Sequence, residues 1–369
     1  MLDNGKITAN QYKMLVLLFT IGSSILVAPT ALVNDAKQDA WIATIFTVII
    51  SILLVLMYIK IYSIFPNMTL VEICELLLGK WIGKFAVALF LMYAFILSGA
   101  LLREIGDFTT TQMMPDTPID AIHIVFMGVV VMATLLGLEV IGRSSEIISL
   151  WLFILLAIYF IAILPQIKIG NLQPILGEGM KPILFGFYHF ISLSYLELIV
   201  FLMIAPFVNH QKGAKKGFLV GVIIGGILLT FVVMFSILVL GVENTARQIY
   251  PSYALARKIE IGKFFQRVEV IMAGIWFLSI FYKLTISFYA FVLGLSQLFK
   301  IKDYRSITLP ISMMLIVYAI VFHPNIVHFF EFVHNIWPLY SLTIGFLFPL
   351  ILLGTALMKK RQRHVRGNR

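Results

Sequence analysis

One cysteine, Cys74, stands among the 369 residues, and only 12% of the side chains are charged. The single thiol excludes an internal disulfide and any metal cluster built on cysteine. The shortage of charge excludes more, because soluble domains carry about 25% charged residues. No polar linker divides the chain, although a soluble core rarely grows past ~300 residues. Nor does any nucleotide-binding glycine loop, His-Glu-x-x-His pair or catalytic triad stand out. A soluble enzyme, a disordered protein and a secreted disulfide scaffold are all ruled out.

What the chain has instead is apolar surface. Hydrophobic residues make up 60%, including 31 Phe and 16 Met that read as core or lipid-facing filler. The composition defines an all-α polytopic membrane protein with lipid as its surroundings. The net charge of +10 is no sign of nucleic acid, since the basic residues sit in short loops between apolar runs. The first apolar run continues past residue 30 without a small-residue cleavage site, so no cleavable signal peptide is expected.

A helix needs about 20 mostly apolar residues to cross ~30 Å of hydrocarbon. That measure gives ten spans, at 8–33, 39–64, 82–105, 119–141, 145–165, 182–207, 216–241, 265–298, 306–323 and 335–358. The eighth is long enough to begin outside the bilayer. With the N-terminus inside, 18 Lys and Arg fall on the cytoplasmic side and nine outside, Arg103 among the latter, with Lys283 left inside a span. This asymmetry places both termini in the cytoplasm. Five of the nine outer charges lie in the segment 242–267, where Pro251 opens a short amphipathic helix on the membrane surface. A second surface helix is expected after Pro66, capped by Thr69 and Glu72 and closed by Gly79; Thr8 and Gln11 make the same capping box before span one.

Two spans read as interrupted. Span one carries Gly22-Ser23-Ser24 at its middle with Pro29 beyond, and span six carries Ser192-Leu193-Ser194-Tyr195 followed by Glu197. Each opens a five-helix half, and broken helices at matching positions of two halves point to a transporter-type binding site. Exposed N–H and C=O groups at such breaks suit a zwitterionic amino acid. The same small residues would also serve close helix packing, and that reading stays open.

Glu197, Lys283 and, near a span end, Glu139 are costly in hydrocarbon and so are candidates for function. Lys283 shares a helix stripe with Ser279, Tyr282 and Ser287, which would face the bundle interior. Glu197 and Lys283 are read as coupling or structural partners, and Glu139 as an interface pair with Arg143. His123 and His189, with no carboxylate or second histidine at ligand spacing, read as packing residues. The candidate ligand set is therefore Gly22, Ser23, Ser24, Ser192, Ser194, Tyr195 and Tyr282, with Glu197, Lys283 and Ser287 beside it. No catalytic residue, metal or cofactor is expected.

The order of short motifs resembles the B-subunit permease of the GerA-type spore germinant receptors. Those stretches are Ile7-Thr8-x-x-Gln11, Gly22-x-x-x-Leu26-x-x-Pro29, Asp39-Ala40-Trp41, Asn171-Leu172-x-Pro174-Ile175-Leu176-Gly177-Glu178-Gly179, Ala205-Pro206-Phe207, Tyr250-Pro251 and Gly262-Lys263-Phe264-Phe265-x-Arg267-x-Glu269 before Trp276. The resemblance implies the amino acid–polyamine–organocation fold: one LeuT-like membrane domain of ten transmembrane helices in two inverted five-helix repeats, 8–165 and 182–358, with helices one and six broken. A basic cytoplasmic tail, 359–369, would follow. It implies a nutrient sensor of the spore inner membrane, with A and C subunits as partners and an amino acid as a typical ligand. Two features depart from the pattern: one glycine rather than two at the first break, and no lysine in the span 145–165. A proton-coupled amino-acid transporter is the alternative reading, and an integral-membrane enzyme a distant third.

Overall fold

The computed structural model describes residues 5–258 and 268–367, with side chains described as far as Lys359. Its regular structure is helical, and the described residues include only one isolated β-bridge, between Ile7 and Val208. The first span is two half-helices, α1 (Ala9–Ile21) and α2 (Ser24–Ala36), followed by α3 (Ala40–Ile64). Thr8 and Gln11 form the expected capping box ahead of α1. Thr69 and Glu72 do the same for the surface helix α4 (Leu70–Leu78), which Gly79 closes at φ +82°.

Long helices then follow: α5 (Lys80–Phe108), α6 (Ile119–Leu136) and α7 (Leu138–Ile163). Span six is α8 (Met180–Ser194), which ends at mid-span and continues as a 3₁₀ turn over Leu196–Leu202. After it come α9 (Gln211–Leu240), α10 (Val242–Arg247), α11 (Pro251–Arg257), α12 (Val268–Phe299) and α13 (Arg305–Val321). The last span is segmented into α14 (Ile326–Glu331), α15 (Trp337–Leu342) and α16 (Phe348–Gly367), joined by π turns over Phe332–Ile336 and Thr343–Leu347.

Eight helical stretches among the described residues are long and apolar enough to cross a membrane. One of them, Ser24–Ile64, runs the second half of the first expected span into the second, and Arg305–Val321 falls just short in length. Eight such stretches therefore stand against the ten spans expected from the sequence. In the segment 242–267 the helix expected to open at Pro251 is α11, the short helix α10 precedes it, and the remainder, 259–267 with Lys263 and Arg267, lies outside the described residues. Arg103 is no loop charge. It lies in α5, 6% exposed, with its guanidinium 2.8 Å from the Asp107 carboxylate one turn on.

The core of the bundle is the inner parts of α1 and α12, which are buried without a break over Leu15–Ile21 and Tyr282–Gly294. Lipid-facing apolar side chains such as Ile49, Leu53, Val125 and Val321 project from the peripheral helices instead. Burial of these two segments sets the two helix breaks and the polar stripe of α12 together, away from lipid.

Candidate functional site

Gly22 ends α1 at φ +22°, a conformation that L side chains rarely adopt, and the chain restarts as α2 at Ser24. A Cβ at Gly22 would lie 2.3 Å from Lys283 Cδ and 2.8 Å from the Phe19 carbonyl, so the lysine fills the gap in the helix. Across the gap, α8 stops at Ser194, and the Ser24 and Ser194 hydroxyls meet at 2.6 Å. The two expected breaks are real and they face one another.

Lys283 rises from α12 into this junction. Its ammonium donates to the Ser23 hydroxyl at 2.8 Å and to the Leu193 carbonyl at 3.0 Å, and it pairs with the Glu197 carboxylate at 2.7 Å. Three partners match the three protons of an ammonium group. Lys283 and Glu197 are 0% and 1% exposed, so bulk solvent does not screen the pair. The Phe19 ring lies 5.5 Å from the same nitrogen, a cation–π distance. α1 and α8 both end here, and the negative ends of two helix dipoles favour a cation at this point. The second Glu197 oxygen accepts from the Trp337 indole at 2.9 Å, and Trp337 stacks on Tyr93. The start of α2, the end of α8 with its 3₁₀ turn, α12 and α15 are thus joined around one buried ion pair.

The other candidates are placed differently. Ser279 donates to the Gly22 carbonyl at 3.3 Å, which joins the α12 stripe to the break. Tyr282 directs its hydroxyl to Ser144 on α7 at 2.9 Å, and Ser287 bonds back to the Lys283 carbonyl of its own helix. Ser192 likewise bonds back to the His189 carbonyl. Tyr195 is buried beside the break, with its hydroxyl unpartnered among the described residues. Glu139 pairs with Arg143 on an exposed face, as expected of an interface pair. The last helix approaches the second break closely. A Cβ at Gly345 would meet the Leu196 carbonyl at 2.6 Å, so only glycine fits there, and Tyr58 donates to both carbonyls, Leu196 and Gly345.

A cavity of about 630 Å³ opens above the junction, at the end of the bundle that carries α10 and α11. Its wall includes Asp35, His189, Leu193, Arg247, Glu331 and His334. Leu193 thus belongs to both the cavity and the lysine cradle. The short helices α10 and α11 pack against α2. Pro29, inside α2, has no N–H to offer the carbonyl one turn back. That carbonyl, on Ile25, is taken by the Ser252 hydroxyl of α11 at 2.7 Å, while Tyr159 donates to the Ser252 carbonyl. α11 itself begins at Pro251, as expected from the sequence.

His189 is not the isolated packing residue expected. Its Nδ1 lies 2.6 Å from the Asp35 carboxylate and its ring stacks on His334. Asp35 and His334 sit 154 and 145 positions away in sequence, so spacing along one helix could not reveal them. Glu104 was also missed. It is 4% exposed on α5 with one carboxylate oxygen unpartnered among the described residues, and Arg103 and Asp107 pair beside it. Three ionisable residues near the end of one apolar run were the available signal.

Two broken helices meeting at mid-bundle, beside a cavity, define the transporter-like broken-helix class of membrane protein. The chain superposes with a TM-score of 0.67 on the closed, bromovinylhydantoin-bound structure of Mhp1, a nucleobase-cation-symport-1 family transporter, over 88% of this chain and 74% of that one. At 12% identity this likeness establishes the fold, which is LeuT-like. The family model described as spore germination protein, Spore_permease, matches residues 6–327, and the chain belongs to that family. Spore germination protein KB of Bacillus subtilis (strain 168) is 29% identical over 98% of this chain and 97% of its own. Spore germination protein A2 of the same organism is 26% identical over 92% of this chain and 93% of its own. The membership agrees with the GerA-type B-subunit resemblance read from the motifs.

Proposed function

We propose that this chain is the nutrient-sensing membrane subunit of a spore germinant receptor, working with A and C subunits at the spore inner membrane. A small nutrient such as an amino acid enters through the outer cavity and binds between the broken helices. Its carboxylate takes the N–H groups at Ser23 and Ser24, and that of Gly22 once it leaves the Leu18 carbonyl it holds at 2.9 Å, while its ammonium takes the carbonyls near Ser192 and Ser194. The observation that carries this reading is the facing pair of breaks, with Ser24 and Ser194 in contact and Leu193 shared with the cavity. Because Lys283 already holds the Leu193 carbonyl, ligand entry has to rearrange the lysine. That rearrangement loosens the Glu197–Trp337 link and shifts the last helix, which is the signal passed to the partners. The two repeats, 8–165 and 182–358, and ten crossings with both termini in the cytoplasm or spore core complete the picture.

Deletion in the source organism, scored as germination against a nutrient panel, tests the role. Loss of response to one nutrient class supports it, and an unchanged profile opposes it. A second reading, proton-coupled amino-acid transport, has the fold likeness in its favour. Sustained concentrative uptake of labelled amino acids by vesicles carrying this chain alone would replace the receptor-only reading.

A further inference from the structure

We propose that Asp35, His189 and His334 form a binding site for a divalent transition metal of the zinc class in the wall of the outer cavity. The three residues come from three separate elements: the last turn of α2, the middle of α8 and the π turn ahead of α15. One donor atom from each lies within 4.8 Å of the others. A tetrahedral site with bonds of about 2.0–2.2 Å sets its donors roughly 3.3–3.6 Å apart. The Asp35–His189 pair, at 2.6 Å, is hydrogen-bonded and closer than that spacing, so an entering ion displaces the shared proton and parts these two donors by about 1 Å at most, while His334 moves in to close the set. His334 is the exposed member, and a turn about its side-chain torsions brings a ring nitrogen to the other two donors.

The donor chemistry selects the ion. Two imidazoles and one carboxylate suit zinc and its neighbours, whereas magnesium and calcium prefer all-oxygen sets. Three protein ligands leave a fourth position, which faces the cavity and can be filled by water or by a ligand group. The hydrogen bond between Asp35 and His189 holds these two donors side by side before an ion enters. The π turn supplies an independent pointer. One inserted residue at Phe332–Ile336 breaks the α-helical register and swings His334 toward α8, and such insertions recur at functional sites.

A metal held here would tie the outer half of helix one to helix six and to the start of the last helix. It would fix the cavity wall above the lysine cradle in one arrangement. The site does not depend on the nutrient reading, because metal binding is measured without any nutrient.

The test is titration of the purified full chain in detergent with Zn²⁺ by calorimetry and with Co²⁺ by visible absorption. One saturable Zn²⁺ per chain is expected, with Co²⁺ bands of a four-coordinate nitrogen–oxygen site. His334→Ala should lower affinity at least tenfold and abolish the Co²⁺ bands, and being exposed it should not disturb folding. His189→Ala and Asp35→Asn should weaken binding as well, while His328→Ala, a histidine outside the trio, leaves it intact. No stoichiometric binding by the wild-type chain would overturn the site. So would equal affinity in His334→Ala, or an equal loss in His328→Ala.

Discussion

Removing the Lys283 ammonium should destabilise the protein far more than a typical substitution does. Lys283→Ala leaves the Glu197 carboxylate buried at 1% exposure, with only the Trp337 indole as a donor. Breaking a buried ion pair from one side costs about 3–5 kcal/mol, because the surviving charge has no water to return to. The Ser23 hydroxyl and Leu193 carbonyl lose their donor too, each adding a desolvation cost of about 1–3 kcal/mol where nothing replaces it. The ion-pair term alone shifts the folding equilibrium roughly a hundred- to several-thousand-fold. Quantitative blotting of membranes and melting in detergent should therefore show a scarce, low-melting protein. Glu197→Gln keeps an oxygen for Trp337 and removes the charge, so adding it to Lys283→Ala should restore part of both abundance and melting temperature. A coupling between the two of about 0.5–3 kcal/mol is expected of residues in contact. If Lys283→Ala melts with the wild type, or if the double variant is the plain sum of the singles, the pair does not hold the junction.

Four shorter tests bear on the rest of the site. Gly22→Leu should abolish nutrient response, and because its Cβ would strike the Phe19 carbonyl as well as the lysine, blotting should show reduced abundance too; an abundant, responsive variant would refute the close approach. Ser24→Ala, which removes one hydroxyl from the contact between the breaks, should cost about 1 kcal/mol in melting and shift the nutrient dose–response; an unshifted dose–response would place the ligand elsewhere. Pro251→Ala should impair response more than protein level by loosening the entry to α11, and Ser252→Ala should do so more strongly because it orphans the Ile25 carbonyl; equal loss of protein and response would reduce both to folding roles. A cysteine at Asn34 should label with a membrane-impermeant thiol reagent in intact cells and one at Arg363 should not, against a silent background. Native Cys74 is buried in α4, outside the candidate spans, and burial pushes its thiol up to about 12.

By itself the sequence determined the membrane class, the positions of most helices, both capping boxes and the two breaks. These are local properties: apolar run length, a Ser/Thr/Gln/Glu spacing of three, and small residues interrupting an apolar run. It also marked Glu197 and Lys283 singly, because a charge inside an apolar span is visible wherever its partner lies. Only the tertiary structure could decide that they pair, that Trp337 completes the link, and that Leu193 supplies a backbone carbonyl to the lysine. Lys283 and Glu197 lie 86 positions apart on different helices, and no periodicity spans that distance. Tyr282 shows the complementary limit. Its stripe position beside Lys283 is correct, yet its ring reaches Ser144, because a side chain's direction is set by the helix packed against it. Arg103 read as a loop charge for the same reason, since the fold and not the hydropathy pattern buries it beside Asp107. The Asp35–His189–His334 cluster was beyond sequence reading altogether, assembled from three helices by the packing that brings the breaks together.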